Sequence, residues 1–184
     1  MTSPPAVPTW TALADDAVAD PWPVASLTPS ARIRAIAAGL PGVAVVERVL
    51  DAPFDRVWEF IADLERSVPT FDRQVAGLRI VERDGTRLVA RATSSWRLVR
   101  APLRFDVDLE DGWCWMVARP QVYVVGMAAE PLAGDPGRTR YLHLEGVPRN
   151  GRVLGPLVRA TTAIHRRHVA SDVDGIERAV ATRA

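Results

Sequence analysis

Two Asp-Gly pairs, Asp84-Gly85 and Asp111-Gly112, constrain the fold of this chain more than any other feature of the sequence. Asp84-Gly85 lies between two runs in which apolar and charged residues alternate, and Asp111-Gly112 follows another such run, PLRFDVDLE at 102–110. Glycine readily adopts the positive φ that a two-residue turn requires, so the pattern favours a β-hairpin at each pair. Two hairpins in succession predict an antiparallel meander.

Further strands and two helical regions flank this meander. The apolar, β-branched run at 43–50 predicts a strand, FDRVWEFIADLE after it predicts a helix, and one more strand is expected on each side of the loop at 133–137. From 154 to 180 apolar residues recur at helical spacing, which predicts one long amphipathic helix. A sheet with one apolar face and a helix with one apolar stripe must pack together. We therefore expect an α+β fold in which a curved antiparallel sheet wraps the C-terminal helix.

The first 41 residues differ from the rest, because they contain seven of the fifteen prolines. Proline fixes φ and lacks a donor, so residues 1–27 should be mostly irregular. Thr28 suits a helix cap and Pro29 the first helical position, which predicts a short helix.

The composition change near residue 41 predicts a boundary between an accessory segment, 1–41, and a domain at 42–184. The segment carries Trp10 and Trp22, and two exposed tryptophans would make an adhesive surface. We therefore expect the segment to be ordered and to dock on its own domain.

Composition argues against several classes of protein. Twenty-three basic and twenty-two acidic residues give a net charge of +1, so no electrostatic footprint for a nucleic acid exists. The one cysteine, Cys114, cannot form an internal disulfide, which fits a reducing compartment. The sequence has no run of eighteen apolar residues and no signal-peptide pattern, so we expect a cytoplasmic protein without a membrane span. A homodimer stays open.

The order of these elements resembles the helix-grip fold of the START-like superfamily, which includes polyketide cyclases, lipid-transfer domains and ubiquinone-binding proteins. Four features over about residues 43–182 are similar to the family: the strand-to-helix junction VVERVLDAPFDRVWEFIADLE, the segment SVPTF at 67–71, the motif GRTR at 137–140, and the terminal helix. The resemblance implies an apolar cavity between sheet and helix, and a hydrophobic small molecule as the partner, such as a lipid, quinone or aromatic polyketide. It implies no cofactor.

Alternation along the strands predicts which side chains face such a cavity. Small residues such as Ala90, Ala92 and Ser94 would leave room on a concave face, and aromatic side chains would give flat apolar walls. The predicted ligand-binding residues are Trp96, Phe105, Trp113, Trp115, Tyr123 and Met127. The alternative is that these side chains simply fill the core.

The strand after residue 137 carries the best catalytic candidates, Tyr141, His143 and Glu145. In one register they line the cavity wall, where an imidazole bonded to a carboxylate could do acid/base work and Arg119 could assist. In the opposite register Leu142 and Leu144 face inward and the polar groups lie outside. Hydrophobicity alone slightly favours that second register.

No metal or nucleotide motif is present in the sequence. His165, His168 and Asp172 share one face of the last helix, but their spacing matches no closed metal site, so we predict no metal. Cys114 has no nearby base and is expected to pack as a small apolar group. No glycine pattern for cradling phosphate occurs.

Three functional hypotheses follow. The leading one is sequestration or transport of a hydrophobic ligand in the cavity. The second is a cofactor-independent cyclase or aromatase that uses Tyr141, His143 and Glu145. The third is an interaction module that docks through the N-terminal segment. The orientation of His143 discriminates the first two, because a position inside the cavity within reach of Glu145 favours the enzyme.

Overall fold

The structure, a computed structural model, describes residues 26–95, 102–119, 123–148 and 155–182, and in the last of these ranges it describes side chains from residue 163 onward. The helices are α1 (Pro29–Gly39), α2 (Phe54–Ala62), α3 (Leu64–Phe71) and α4 (Gly155–Ala181). The strands are β1 (Val43–Leu50), β2 (Val75–Asp84), β3 (Arg87–Ser94), β4 (Pro102–Glu110), β5 (Trp113–Arg119), β6 (Val124–Leu132) and β7 (Asp135–Gly146).

The seven strands form one antiparallel sheet in the order β1-β7-β6-β5-β4-β3-β2. Strands β2 to β7 are a continuous meander, and β1 pairs with β7, since α2 and α3 carry the chain from one edge to the other. Both expected hairpins form, with φ of +56° at Gly85 and +69° at Gly112. The predicted helix-grip fold, an α+β arrangement of a curved sheet around a C-terminal helix, is confirmed.

The main core lies between the concave face of the sheet and helices α2, α3 and α4. The inward apolar stripe of α4 is buried, at Val169, Val173, Ile176 and Val180. Ile164, which the helical periodicity also placed on that stripe, departs from it and is 65% exposed.

Helix α1 covers part of the other, convex face. Its start is set by Thr28, whose Oγ1 accepts a hydrogen bond of 3.3 Å from the backbone N–H of Ala31. Ile33 is fully buried against β6 and β7, in a small apolar cluster that includes Leu142 and Leu144. A helix on each face of the sheet therefore encloses β7 from both sides.

Candidate functional site

A cavity of about 480 Å³ lies between the concave face of the sheet, the end of α3 and helix α4. Its walls are mostly apolar, its ionisable side chains gather where β7 faces α4, and two neutral polar residues, Gln74 and Ser94, lie beside the paired β2 and β3. The lining residues are Val68, Phe71, Asp72, Gln74, Val75, Leu78, Ala92, Ser94, Leu103, Phe105, Met116, Tyr123, Val125, Met127, Glu145, Val147 and His168.

Small side chains keep this space open. Ala92 and Ser94 on β3 face inward beside Leu103 and Phe105 of β4, because the two strands pair Ala92 with Leu103 and Ala90 with Phe105. An alanine on a concave face reaches less far than a leucine would, so the sheet and α4 enclose a volume that their own side chains do not fill.

A chain of hydrogen bonds runs along β7 on the concave face. Tyr141 Oη lies 2.9 Å from His143 Nδ1, and His143 Nε2 lies 2.8 Å from Glu145 Oε1. The other oxygen of Glu145, Oε2, accepts a hydrogen bond of 2.6 Å from the Tyr123 hydroxyl. Phe71 contacts the His143 ring edge-on, with 6.1 Å between ring centroids. The carboxylate is therefore held from both sides.

Three carboxyl groups surround the His168 side chain on α4. Its Nε2 lies 3.3 Å from Glu145 Oε2, 3.3 Å from Asp172 Oδ2 and 3.7 Å from Asp72 Oδ1. We call Asp72, Glu145, His168 and Asp172 the carboxylate–histidine cluster. Two sets of three potential metal-ligand atoms occur here, one in Asp72, Glu145 and His168 and one in His143, Glu145 and Asp172, each within 4.8 Å of one another.

The protein brings these groups together from three distant elements. His168 and Asp172 are four residues apart on α4 and so share one helix face. Asp72 follows α3, which approaches α4 closely because Gly175 has no side chain; a Cβ there would lie 3.0 Å from the Phe71 Cβ. The β7 register places Glu145 opposite this contact.

Burial and the neighbouring charges shift the pKa values of the three carboxyl groups in different directions. Burial alone would raise the pKa of Glu145, but the His143 bond, the nearby histidines and the Tyr123 bond together hold it below its usual value. Burial, and then the charge of Glu145, raise the pKa of Asp72, and the same two causes with Asp72 raise the pKa of Asp172 to about 9. Burial, reinforced by Glu145, also raises the pKa of Tyr123, which remains a donor. Glu145 therefore carries the charge.

Three of the predicted ligand-binding residues, Phe105, Tyr123 and Met127, lie in the cavity wall. Trp96 lies outside the described residues. The prediction for Trp113 and Trp115 is corrected, because these side chains alternate onto the convex face, where their rings stack on each other and Trp113 packs with α1. Both residues come just after the Asp111-Gly112 turn, and the sequence there does not fix which face of β5 they occupy.

Strand β7 has the register in which Tyr141, His143 and Glu145 face the concave side of the sheet. Leu142 and Leu144 are also fully buried, beneath α1, and for this reason hydrophobicity favoured the wrong register. Both faces of this strand are covered.

Two other candidates lie apart from the cluster. Arg119 is exposed and pairs with Asp106 on the outer face, so its suggested role in the cavity is corrected. His165 contacts the edge of the Tyr123 ring, with 6.2 Å between centroids, and does not join the carboxylate–histidine cluster. Cys114 is fully buried in the core, as expected.

Sequence reasoning missed Asp72 entirely. It lies 73 residues before Glu145 and 96 before His168, and nothing local distinguishes it from the other carboxylates of the chain. Only the packing of α3 against α4 brings it to the site.

The architecture is similar to that of solved structures, whereas comparison of the sequence itself finds no match. No protein-family model matches the chain, and no curated protein matches it in sequence. A protein from Thermus thermophilus, TTHA0849, aligns with a TM-score of 0.60 at 20% identity over 77% of this chain and 99% of its own. The Zhui aromatase/cyclase from a Streptomyces species aligns at 0.57 and 20% identity, over 77% and 95%. A START superfamily protein from Mycobacterium smegmatis aligns at 0.58 and 15%, over 77% and 99%.

These alignments cover most of the chain and nearly all of each neighbour. At such low identities, the structural similarity shows the fold alone. Among the described helices, none combines the length and the apolar character that a membrane crossing demands. With its seven-stranded antiparallel sheet, its cavity and its long terminal helix, the chain has the START-like helix-grip fold.

Proposed function

We propose that the protein binds a hydrophobic small molecule in the cavity and holds the molecule's polar end against Glu145, His168 and Tyr123. The observation that carries this proposal is the 480 Å³ cavity with apolar walls and one polar end. Small-molecule sites have volumes of about 300–1,000 Å³, apolar linings and a few convergent polar groups. A mostly apolar ligand with one oxygen function fits this distribution best.

The aromatic and thioether side chains of the wall favour a flat ligand. Phe71, Phe105 and Met127 offer surfaces that pack well against a ring system. A Tyr123 hydroxyl and a His168 imidazole at the polar end could donate hydrogen bonds to a phenol, quinone or ketone oxygen. Aromatic polyketides and quinones therefore suit the cavity better than a saturated lipid does.

A cyclase or aromatase activity is the second candidate, and one observation favours it. His143 lies on the concave face, 2.8 Å from Glu145, which meets one half of the criterion for an enzyme, hydrogen-bond reach of the carboxylate. His143 does not itself line the cavity, so Glu145 would be the general base and His143 the residue that positions it. In this role Glu145 would take a proton from a carbon next to a carbonyl, while the Tyr123 hydroxyl would turn its one proton from Glu145 to the carbonyl oxygen.

Binding is tested with a naphthalene-based fluorescent probe and a cavity-filling variant. Ala92→Leu adds three carbons to the cavity wall, so the probe should bind at least about tenfold more weakly, since the lost space cannot be recovered in a packed interior. The control is Val117→Leu, which adds one carbon on the convex face of β5 and should leave the affinity unchanged. Equal affinity of all three proteins would refute binding in the cavity.

Catalysis is tested with 2-tetralone, a fused-ring ketone with acidic protons next to its carbonyl. In deuterated buffer the wild-type protein should accelerate exchange of those protons, and Glu145→Gln should not, because an amide is no base. Glu47→Gln, on the outer face of β1, is the matched control and should exchange at the wild-type rate. Acceleration that survives in Glu145→Gln would remove Glu145 as the base.

A further inference from the structure

The carboxylate–histidine cluster at the polar end of the cavity has the composition and spacing of a metal site. Three carboxylates and one imidazole converge from β7, α4 and the end of α3. We propose that Asp72, Glu145, His168 and Asp172 bind a divalent transition-metal ion. This proposal goes beyond the binding of a hydrophobic ligand and does not depend on it.

Two of the distances around His168 match the spacing of neighbouring metal ligands. With bonds of about 2.0–2.1 Å, two ligand atoms at neighbouring corners of a tetrahedron are about 3.3–3.4 Å apart. His168 Nε2 is 3.3 Å from Glu145 Oε2 and 3.3 Å from Asp172 Oδ2, and the third separation, to Asp72 Oδ1, is 3.7 Å. Asp72, Glu145 and His168 thus offer ligand atoms within 4.8 Å of one another, whereas Asp172 belongs to a second such set with His143 and Glu145, so its carboxyl would have to move to join an ion held by the first three.

Asp172 supplies an independent observation. Its side chain is 1% exposed, and neither of its oxygens has a hydrogen-bond partner among the described residues. A buried carboxyl without a partner is costly, and native proteins seldom leave one so. Asp172 Oδ2 lies 3.3 Å from His168 Nε2, without a hydrogen bond, and a cation at this position would give the buried carboxyl a partner of full opposite charge.

The groups behind Glu145 resemble the outer shell of a metal site. His143 holds Glu145 Oε1, and Tyr141 in turn holds His143, so Oε2, which also accepts the Tyr123 hydrogen bond, faces His168. Such supporting hydrogen bonds orient metal-binding carboxylates and fix their charge. The chain of bonds along β7 would thus position one ligand of the ion.

The donor set indicates the class of ion. Oxygen donors with one imidazole and no thiolate suit Mn²⁺, Fe²⁺ or Zn²⁺ better than Cu⁺ or an iron–sulfur cluster. Cys114 is not a member of the cluster. The repulsion among three neighbouring carboxyls would be relieved by a dication. The expectation that no metal binds rested on the spacing within α4 alone, whereas these donors come from three elements.

The position of the ion would matter for chemistry in the cavity. Asp72, Glu145 and His168 line the cavity, so an ion among them faces the polar end of a bound molecule. A metal ion there could polarise a ligand oxygen as a Lewis acid.

The test uses the full-length protein after treatment with a chelator, with Zn²⁺ and Mn²⁺ as the probes. Native mass spectrometry and titration calorimetry should give one ion per chain for at least one of the two metals, and the melting temperature should rise on addition of that metal. His168→Ala and Asp172→Asn should weaken binding at least about tenfold. His165→Ala and Asp174→Asn, matched changes on the same helix outside the cluster, should bind like the wild type.

A measurement on the unmodified protein guards against variants that fail to fold. Nitrogen-15 spectra of the histidine side chains should show that metal addition shifts Nε2 of His168 and leaves His165 unaffected. Absence of saturable binding of both metals, a shift at His165 instead, or full binding by folded His168→Ala would each overturn the proposal.

Discussion

The two faces of β7 are equally buried and chemically opposite. On the convex face, Leu142 and Leu144 are 0% exposed beneath α1, in a cluster made of hydrocarbon and indole. On the concave face, Tyr141 and His143 are also 0% exposed and Glu145 is 2% exposed, but they are joined by hydrogen bonds and Glu145 lines a cavity. Burying polar groups costs free energy even when they are paired. The comparison teaches that the convex face stabilises the fold, while the concave face gives up stability for a site.

The largest expected effect comes from removing the cover of the convex face. Deletion of residues 1–41 removes α1 and exposes Leu142, Leu144 and Trp113, each of which contributes about 1.5–3 kcal/mol when buried. Urea denaturation should show a loss of about 5 kcal/mol in the free energy of unfolding. Affinity for the naphthalene probe should persist in the fraction that remains folded. Unchanged stability of the truncated protein would contradict the docking of the N-terminal segment and would make α1 a dispensable attachment.

Truncation of a single side chain on the convex face should also lower stability without changing probe affinity, and the loss should be smaller. Leu142→Ala leaves a void between β7 and α1, which should cost about 2–5 kcal/mol, with no change in probe affinity. Leu27→Ala, at a position that is 44% exposed, is the control and should change stability by less than about 0.5 kcal/mol. A fall in probe affinity in Leu142→Ala would mean that the two faces are coupled through the strand.

A change at the site between the concave face and α4 should instead raise stability. Asp172→Asn, studied with a chelator present, should stabilise the protein by about 1–3 kcal/mol at neutral pH, because the wild-type carboxyl must take up a proton on folding and an amide need not. Thermal unfolding of the two proteins measures the difference. Destabilisation by this change would show that the carboxyl of Asp172 makes a favourable interaction.

The pH dependence of that difference is fixed by the pKa. Burial raises the pKa of Asp172 to about 9, above its unfolded value of about 3.9, so the folded chain binds the proton more tightly. The stability of the wild type should therefore fall as pH rises from about 4 to about 9, relative to Asp172→Asn. The two curves should converge below about pH 4. A gap that widens toward acid pH would mean that Asp172 is ionised in the folded protein.

The elements of the fold were predictable from the sequence, because each has a local cause. Thr28 and Pro29 fix the start of α1, and the glycines at 85 and 112 fix two hairpins. The long apolar stripe fixes α4, although Ile164 at its exposed end does not follow it. Local rules therefore recovered the elements and the meander of hairpins, while the grip of the sheet on the helix was expected from the resemblance to the START-like superfamily.

The site was only half predictable, because it depends on contacts between distant elements. Alternation identified Tyr141, His143 and Glu145 as a row but could not choose their face, since Leu142 and Leu144 are buried as well. For the same reason Trp113 and Trp115 were assigned to the wrong face. No local pattern could have paired Asp72 with His168, because that contact depends on how closely α3 approaches α4.

The smallest effect is expected at Cys114, which lies on the concave side but away from the cavity. Its side chain is 0% exposed and is absent from the cavity lining, and burial, with a contribution from Asp108, raises the pKa of its thiol well above the usual range. The thiolate is the reactive form, so both access and ionisation oppose modification. Iodoacetamide should leave the native protein unlabelled at neutral pH and label it fully in urea, as read by intact mass. Because Cys114 is the only cysteine of the chain, the labelled fraction reports opening of this part of the core directly. Rapid labelling of the native protein would show that the sheet opens beneath the cavity, and the concave face would then be a mobile wall rather than a fixed one.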